Sequence, residues 1–274
     1  MNGPLRLIFT VAILLMWVLF GLALSQGSWT PLQWAMLGVA HIVCAIVFRN
    51  FAYVFSYGYA ISLLAINLIV VATLPSVASS LVAGCGILYG LRLWHFVHTR
   101  QRDSSFKAVR ERSDAIHGKT PLGAKAGVWI MVSWLMAFHP MTAYNVARAA
   151  RLDVWIVVGV AIMLAGLILE ALADAQKRAA KRADASTWVS AGLYRRMRHP
   201  NYLGEIIFQI GLIVAGLGAA AGPWATVAGV VAPLYVVFLM YYAARDLDAK
   251  QTERYGMSAE YRAYRDATGM LTPG

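Results

Sequence analysis

Apolar residues fill this chain in long unbroken runs, and arginine and lysine collect in the short connections between them. A helix crosses the hydrocarbon core of a bilayer with about 20 apolar residues. Runs of that kind lie at residues 5–24, 31–48, 51–74, 80–97, 126–146 and 154–173. A further stretch, residues 206–243, is too long for one crossing and is interrupted by Gly222-Pro223, a pair that favours two helices over one continuous rod. The pattern predicts an all-α polytopic integral membrane helix bundle with seven or eight transmembrane helices. The first run has spanning length and others follow it, so it is expected to remain in the mature protein rather than act as a cleaved signal. No Pro-, Gly- or Ser-rich linker divides the chain, and residues 1–274 are expected to form a single membrane domain.

Composition agrees with the pattern. The chain is 59% hydrophobic, and its 14% of charged residues falls well below the quarter usual in soluble domains. The net charge is +11, and its placement is informative. With eight spans, the N-terminus, Arg49, the 100–125 connection, the 177–198 loop and the C-terminal tail share one side, leaving Arg148 and Arg151 on the other. The positive-inside rule makes the crowded side cytoplasmic, with both termini there if the count is eight. Membrane lipid is the expected partner of much of this charge. No nucleic-acid-binding module accompanies the basic residues, which abut the spans, so nucleic acid is not an expected partner. Cys44 and Cys85 lie inside apolar runs and behave as small hydrophobes.

Candidate chemistry concentrates between Leu167 and Glu205. Glu170, Asp174, Lys177, Arg178 and Lys181 recur at spacings of three and four, hence on one helical face. A solvated extension with Asp174–Lys177 and Asp174–Arg178 pairs explains the later charges. It leaves Glu170 unexplained, because a carboxylate a turn or so inside the bilayer boundary faces a cavity or a partner. The segment Gly192-Leu-Tyr-Arg-Arg-Met-Arg-His-Pro-Asn-Tyr-Leu-Gly-Glu205 follows. Arg195, Arg196, Arg198 and His199 are donors suited to phosphate oxygens, and Asn201 and Glu205 place an amide and a carboxylate on one face of the next helix. A nicotinamide dinucleotide suits such a set, its phosphates matching arginines and its carboxamide matching Asn201 and Glu205. A juxtamembrane basic anchor, with Glu205 neutralised by Arg198 and favoured at a helix start, accounts for the same residues.

The pattern E-x-x-x-D-x-Q-K followed by G-L-Y-x-x-x-R-H-P-N-Y-L-G-E resembles the bacterial membrane proteins related to steroid 5α-reductase, NADPH-dependent reductases of conjugated carbon–carbon double bonds. Sterol reductases share the Asn-Tyr-x-Gly-acid core. The resemblance covers the chain from Leu167 through the tail Glu253-Arg-Tyr-Gly-Met-Ser-Ala-Glu-Tyr-Arg-Ala-Tyr264. It implies NADPH as cofactor, with contacts from Asp174, Arg178, Asn201 and Glu205 and more loosely Lys181, Arg198 and Arg245; Glu170, Arg195, His199 and Tyr202 complete the candidate set. It implies substrate-side helices in residues 1–125, cofactor-binding helices, basic loop and tail in 126–274, and a bacterial inner membrane location with the site facing the cytoplasm. Arg-His-Pro-x-Tyr-x-Gly is also similar to the isoprenylcysteine and phospholipid methyltransferases, which use S-adenosylmethionine. Those enzymes pair it with adjacent glutamates in the tail, where this chain has Arg245-Asp-Leu-Asp-Ala-Lys-Gln-Thr-Glu-Arg-Tyr-Gly256.

Reduction of an enone, as in a 3-oxo-Δ4 steroid-like substrate, needs a donor to the carbonyl oxygen as negative charge develops there. Tyr89 is the candidate, with Arg92 one turn on as an intramembrane cation and Gly90 permitting close helix approach. A purely structural pairing of Arg92 with Glu170 is equally compatible with the residues. The resemblance breaks at one point: steroid reductases add a glutamate from an early span, whereas the first acidic residue here is Asp103. His41, Asn67, His139 and Asn145 are singletons expected in interhelical hydrogen bonds. Tyr53, Tyr57 and Tyr59 are expected in an interfacial aromatic belt. His95 and His98 lack a third ligand, and no metal site is expected.

Overall fold

The structure, a computed structural model, describes residues 3–103, 106–184, 186–219 and 222–274. Residues 104–105 of the predicted 100–125 connection, 185 of the basic loop and 220–221 beside the predicted break lie outside them. The described residues build helices α1 (Gly3–Ser25), α2 (Pro31–Cys44), α3 (Tyr57–Thr73), α4 (Val77–Arg102), α5 (Lys107–Lys119), α6 (Leu122–Phe138), α7 (Met141–Ala149), α8 (Val154–Ala183), α9 (Pro200–Leu217), α10 (Pro223–Tyr255) and α11 (Ala259–Asp266). Among the described residues, seven segments are long and apolar enough to cross a membrane, with α3 as a shorter apolar helix beside them. The molecule is a polytopic helix bundle.

Local chemistry sets the helix ends. Thr30 and Gln33 form a capping box ahead of Pro31, Ser76 and Ser79 form another at α4, and the Asp153 carboxylate accepts from the Trp155 amide. Proline opens α9 and α10, and Gly222 precedes the latter at φ +83°, so the predicted break at Gly222-Pro223 is real. Four runs differ from expectation. Residues 51–74 begin as a 3-10 turn (Phe51–Phe55), because the Asn50 side chain caps Ala52 and also donates to Asp114 of α5 at 2.7 Å. Residues 126–146 divide into α6 and α7 at His139-Pro140, since proline offers no amide to the preceding turn. Helices α4 and α8 run on past their apolar runs to Arg102 and Ala183.

Two core clusters hold the bundle. One joins α1, α2, α6 and α10, and the other joins α3, α4, α8 and α9. The outside is apolar as well: Leu7, Val11, Leu14 and Val18 form a helical stripe on α1, each more than half exposed, the arrangement expected of a lipid-facing surface. Without a hydrophobic drive between helices in lipid, close backbone approach does the packing. Helices α8 and α9 meet antiparallel, where a Cβ added to Gly166 would stand 2.5 Å from the Phe208 amide and one added to Gly204 would stand 2.6 Å from the Glu170 amide. This approach sets Glu170 of α8 beside Glu205 of α9. On α4, a Cβ at Gly90 would lie 2.8 Å from the Ala60 carbonyl oxygen, so α3 and α4 are also in near contact, as expected from Gly90.

Candidate functional site

A cavity of about 500 Å3 opens between these helices, within the usual range for small-molecule sites. Its polar lining comes from α3, α4, α8 and α9: Tyr59, Arg100, Glu170, Asp174, Asn201 and Glu205, with Lys177, Arg178, Lys181 and Tyr202. Its apolar lining comes chiefly from α6 and α10, including Val128, Val132, Leu135, Val236 and Leu239. Glu170, Asp174, Arg178, Lys181, Asn201, Tyr202 and Glu205, singled out from the sequence, are thus brought to one place.

Charge in this cavity is unevenly compensated. Arg92 forms ion pairs with both Glu170 and Asp174, with hydrogen-bond geometry to Asp174. Asp174 therefore pairs across to α4 rather than along its own helix. Glu170 is 6% exposed, and among the described residues its Oε2 has no hydrogen-bond partner. Asp103 pairs with Arg182 at 3.2 Å. Arg178 donates to the Thr99 hydroxyl at 3.0 Å, Lys181 to the Thr187 carbonyl, and Arg100 lies over the rings of Phe96 and Phe106. With Glu170, Asp174 and Asp103 of its lining paired by arginines off it, the cavity keeps Arg100, Lys177 and Arg178 against Glu205.

Glu205 is 8% exposed and stands at the end of a side-chain chain. The Tyr59 hydroxyl donates to Glu205 Oε1 at 3.3 Å and accepts from Gln209 Nε2 at 3.0 Å, and Gln209 Oε1 is 2.8 Å from His139 Nε2. Tyr59 was expected in an aromatic belt and belongs to this network instead, whereas His139 makes the interhelical hydrogen bond expected of it, to Gln209. Gln209 follows Glu205 by four residues on one face of α9, a spacing that could have flagged it. Arg100 likewise lies two turns beyond Arg92 on α4, and Lys177 belongs to the α8 face already read from the sequence.

Four predicted contacts are placed elsewhere. Arg198 is held by Asp248, with Nε–Oδ1 at 2.6 Å and Nη2–Oδ2 at 3.3 Å, and also donates to the carbonyls of Arg265 and Thr268. His199 is 1% exposed, its Nε2 3.4 Å from Asp248 Oδ1; burial pushes the imidazole down to about 4 against the pull of Asp248. Arg195 and Arg245 are exposed and off the cavity lining. The basic loop engages the tail: the Arg198 and His199 amides donate to Gly269 and Met270, and the Tyr264 hydroxyl donates to the Val189 and Tyr194 carbonyls. Gln176 of the D-x-Q-K motif accepts from the Leu193 amide at 2.8 Å beside Gly192, whose φ is +62°. The motif thereby ties α8 to the start of the loop.

Tyr89 and Arg92 also stand apart from the cavity lining. Tyr89 is fully buried, its ring 4.5 Å from Phe208 and 6.0 Å from Tyr59. The tyrosines on the cavity lining are Tyr59, Tyr202 and Tyr235, and of these Tyr59 is the one bonded to Glu205. Arg92 is occupied by two carboxylates. Among the described residues, no group of three His, Cys, Asp or Glu side chains is placed to hold a metal ion.

Fold and site together define an integral multi-pass membrane protein with a buried carboxylate and guanidinium cluster beside one cavity. The profile of a family described as a protein of unknown function, DUF1295, matches residues 41–268, and the chain belongs to that family. No curated protein and no solved structure matches it.

Proposed function

We propose that this protein is an NADPH-dependent reductase of a conjugated carbon–carbon double bond in a hydrophobic ketone, acting in a bacterial inner membrane with its basic face to the cytoplasm. One observation carries the reading: a single cavity joins four cations, an amide and carboxylate cluster, and an apolar wall. The residues suit the dinucleotide. Arg100, Lys177, Arg178 and Lys181 match its phosphates. The unpartnered Glu170 Oε2, with Asn201 and Glu205, offers the acceptors and donor that a carboxamide requires. NADPH, when bound, supplies the hydride.

The protein's own contribution is alignment. Asn201 and Glu205 fix the polar end of one reactant, while the α6 and α10 side chains confine an apolar body opposite, so that two reactants meet in one orientation. The residual positive charge argues against S-adenosylmethionine, whose sulfonium and ammonium groups outweigh its single carboxylate. Thermal melting in detergent tests the choice. NADPH is expected to raise the melting temperature, by an amount equivalent to about 2.7 kcal/mol at a hundredfold excess over Kd, and S-adenosylmethionine is expected to leave it unchanged. The reverse preference would transfer the protein to methyl transfer.

A further inference from the structure

We infer that Tyr59 is the hydrogen-bond donor to the carbonyl oxygen of the substrate, and that Gln209 and His139 are positioning residues that aim its hydroxyl; the inference rests on the reductase reading above. The bond lengths divide the network into a part that is fixed and a part that is replaceable. The Gln209 amide is fully buried and uses both ends, donating to Tyr59 at 3.0 Å and accepting from His139 at 2.8 Å. Because the amide nitrogen faces the tyrosine, its oxygen faces His139, so the imidazole carries its proton on Nε2. His139 is 2% exposed and sits where Pro140 interrupts the helix between α6 and α7, a position set by the backbone rather than by a flexible loop.

The remaining bond, Tyr59 to Glu205, is 3.3 Å long, beyond the 2.5–3.0 Å of a well-made O–H···O bond. A hydroxyl oriented by an amide but poorly engaged by its acceptor is ready to turn its proton to a better one. A ketone oxygen in the adjoining cavity is that acceptor. The same wall identifies the substrate's character. Phe55 and Met131 line the cavity and are 56% and 43% exposed, so the apolar lining continues onto the surface that faces lipid. The substrate is therefore a lipophilic carbonyl compound that enters laterally from the bilayer.

In the step itself, a hydride adds to the β-carbon, the π electrons move to the carbonyl oxygen, and the Tyr59 O–H stabilises the charge that gathers there. The α-carbon takes a proton from water, leaving a saturated ketone and NADP+. Gln209 strengthens the donor by its own hydrogen bond to the phenol oxygen.

The test uses the full-length protein in detergent with NADPH and a 3-oxo-Δ4 steroid as probe, following steroid-dependent NADPH oxidation and the melting temperature. Tyr59→Phe is expected to keep the NADPH-induced rise in melting temperature and to lose roughly 100- to 1,000-fold in kcat, the usual effect of removing one donor to a developing oxyanion. Gln209→Met and His139→Phe are expected to lower kcat with the KM for NADPH unchanged, and His139→Gln, which keeps a donor, to recover much of the loss. Undiminished turnover by Tyr59→Phe, or a wild-type protein stabilised by NADPH that neither binds nor reduces the steroid, overturns the inference and leaves dinucleotide binding standing. Failure of NADPH to stabilise the wild type overturns the reductase reading itself, and this inference with it.

Discussion

Arg198 grips Asp248 through two nitrogens, at 2.6 and 3.3 Å, and thereby ties the loop before α9 to the far end of α10. The pair is largely buried, with side-chain exposures of 9% and 12%. Removing one partner of such a pair strands the other charge and costs about 3–5 kcal/mol. Arg198→Met is expected to lower the melting temperature sharply while the folded fraction retains its affinity for NADPH. Intact stability with lost binding would return Arg198 to the ligand.

Arg92 is the countercharge of two carboxylates, Glu170 and Asp174. Arg92→Met is expected to destabilise the bundle by about 3–5 kcal/mol, since an unpaired buried carboxylate has no water to turn to. Arg92→Lys is expected to recover only part, because one compact ammonium lacks the fork that spans two acceptors. Adding Glu170→Gln and Asp174→Asn to Arg92→Met should recover stability in thermal melts. A fully stable Arg92→Met single variant would show that the pairing is dispensable.

Gly166 and Gly204 let α8 and α9 touch. Overfilling a tight contact costs about 1–3 kcal/mol, so Gly166→Ala and Gly204→Ala are each expected to destabilise by that amount and to weaken NADPH binding by moving Glu170 away from Glu205. Gly127→Ala is the control, for nothing lies within 4 Å of its added Cβ. Equal melting temperatures for all three variants would refute the close-contact account.

His199 is held neutral by burial, its imidazole pushed from 6.5 down to about 4. The unfolded chain takes up a proton near 6.5 that the folded chain refuses until about 4. Stability therefore rises with pH across that window and is lost as pH falls from 6.5 towards 4. His199→Gln is expected to flatten the dependence of the melting temperature on pH in this interval. An unchanged slope would mean that other groups carry it.

The helical membrane class was legible because run length and apolarity are local properties, and the Gly222-Pro223 break because its chemistry is local too. The face carrying Glu170, Asp174 and Arg178 was legible for the same reason: helical spacing alone puts those side chains together. The basic loop was ambiguous in principle. An arginine near lipid needs a partner, but sequence does not reveal whether that partner is a ligand phosphate or a carboxylate. For Arg198 it is Asp248, fifty residues further along the chain. That Tyr89 and Arg92 lie off the cavity lining was not legible, because a phenol and an arginine one turn apart look alike whether they face a cavity or a neighbouring helix.

By itself, the order of residues determined which segments enter lipid and which charges share a helical face, since both depend on neighbours within a few turns. Only the tertiary structure decided that Tyr59 stands on the cavity wall, that Gln209, 150 residues away, holds its hydroxyl, and that the Arg-His pair belongs to the tail. Those outcomes depend on how closely the helices approach one another, and glycines at the crossing points set that distance.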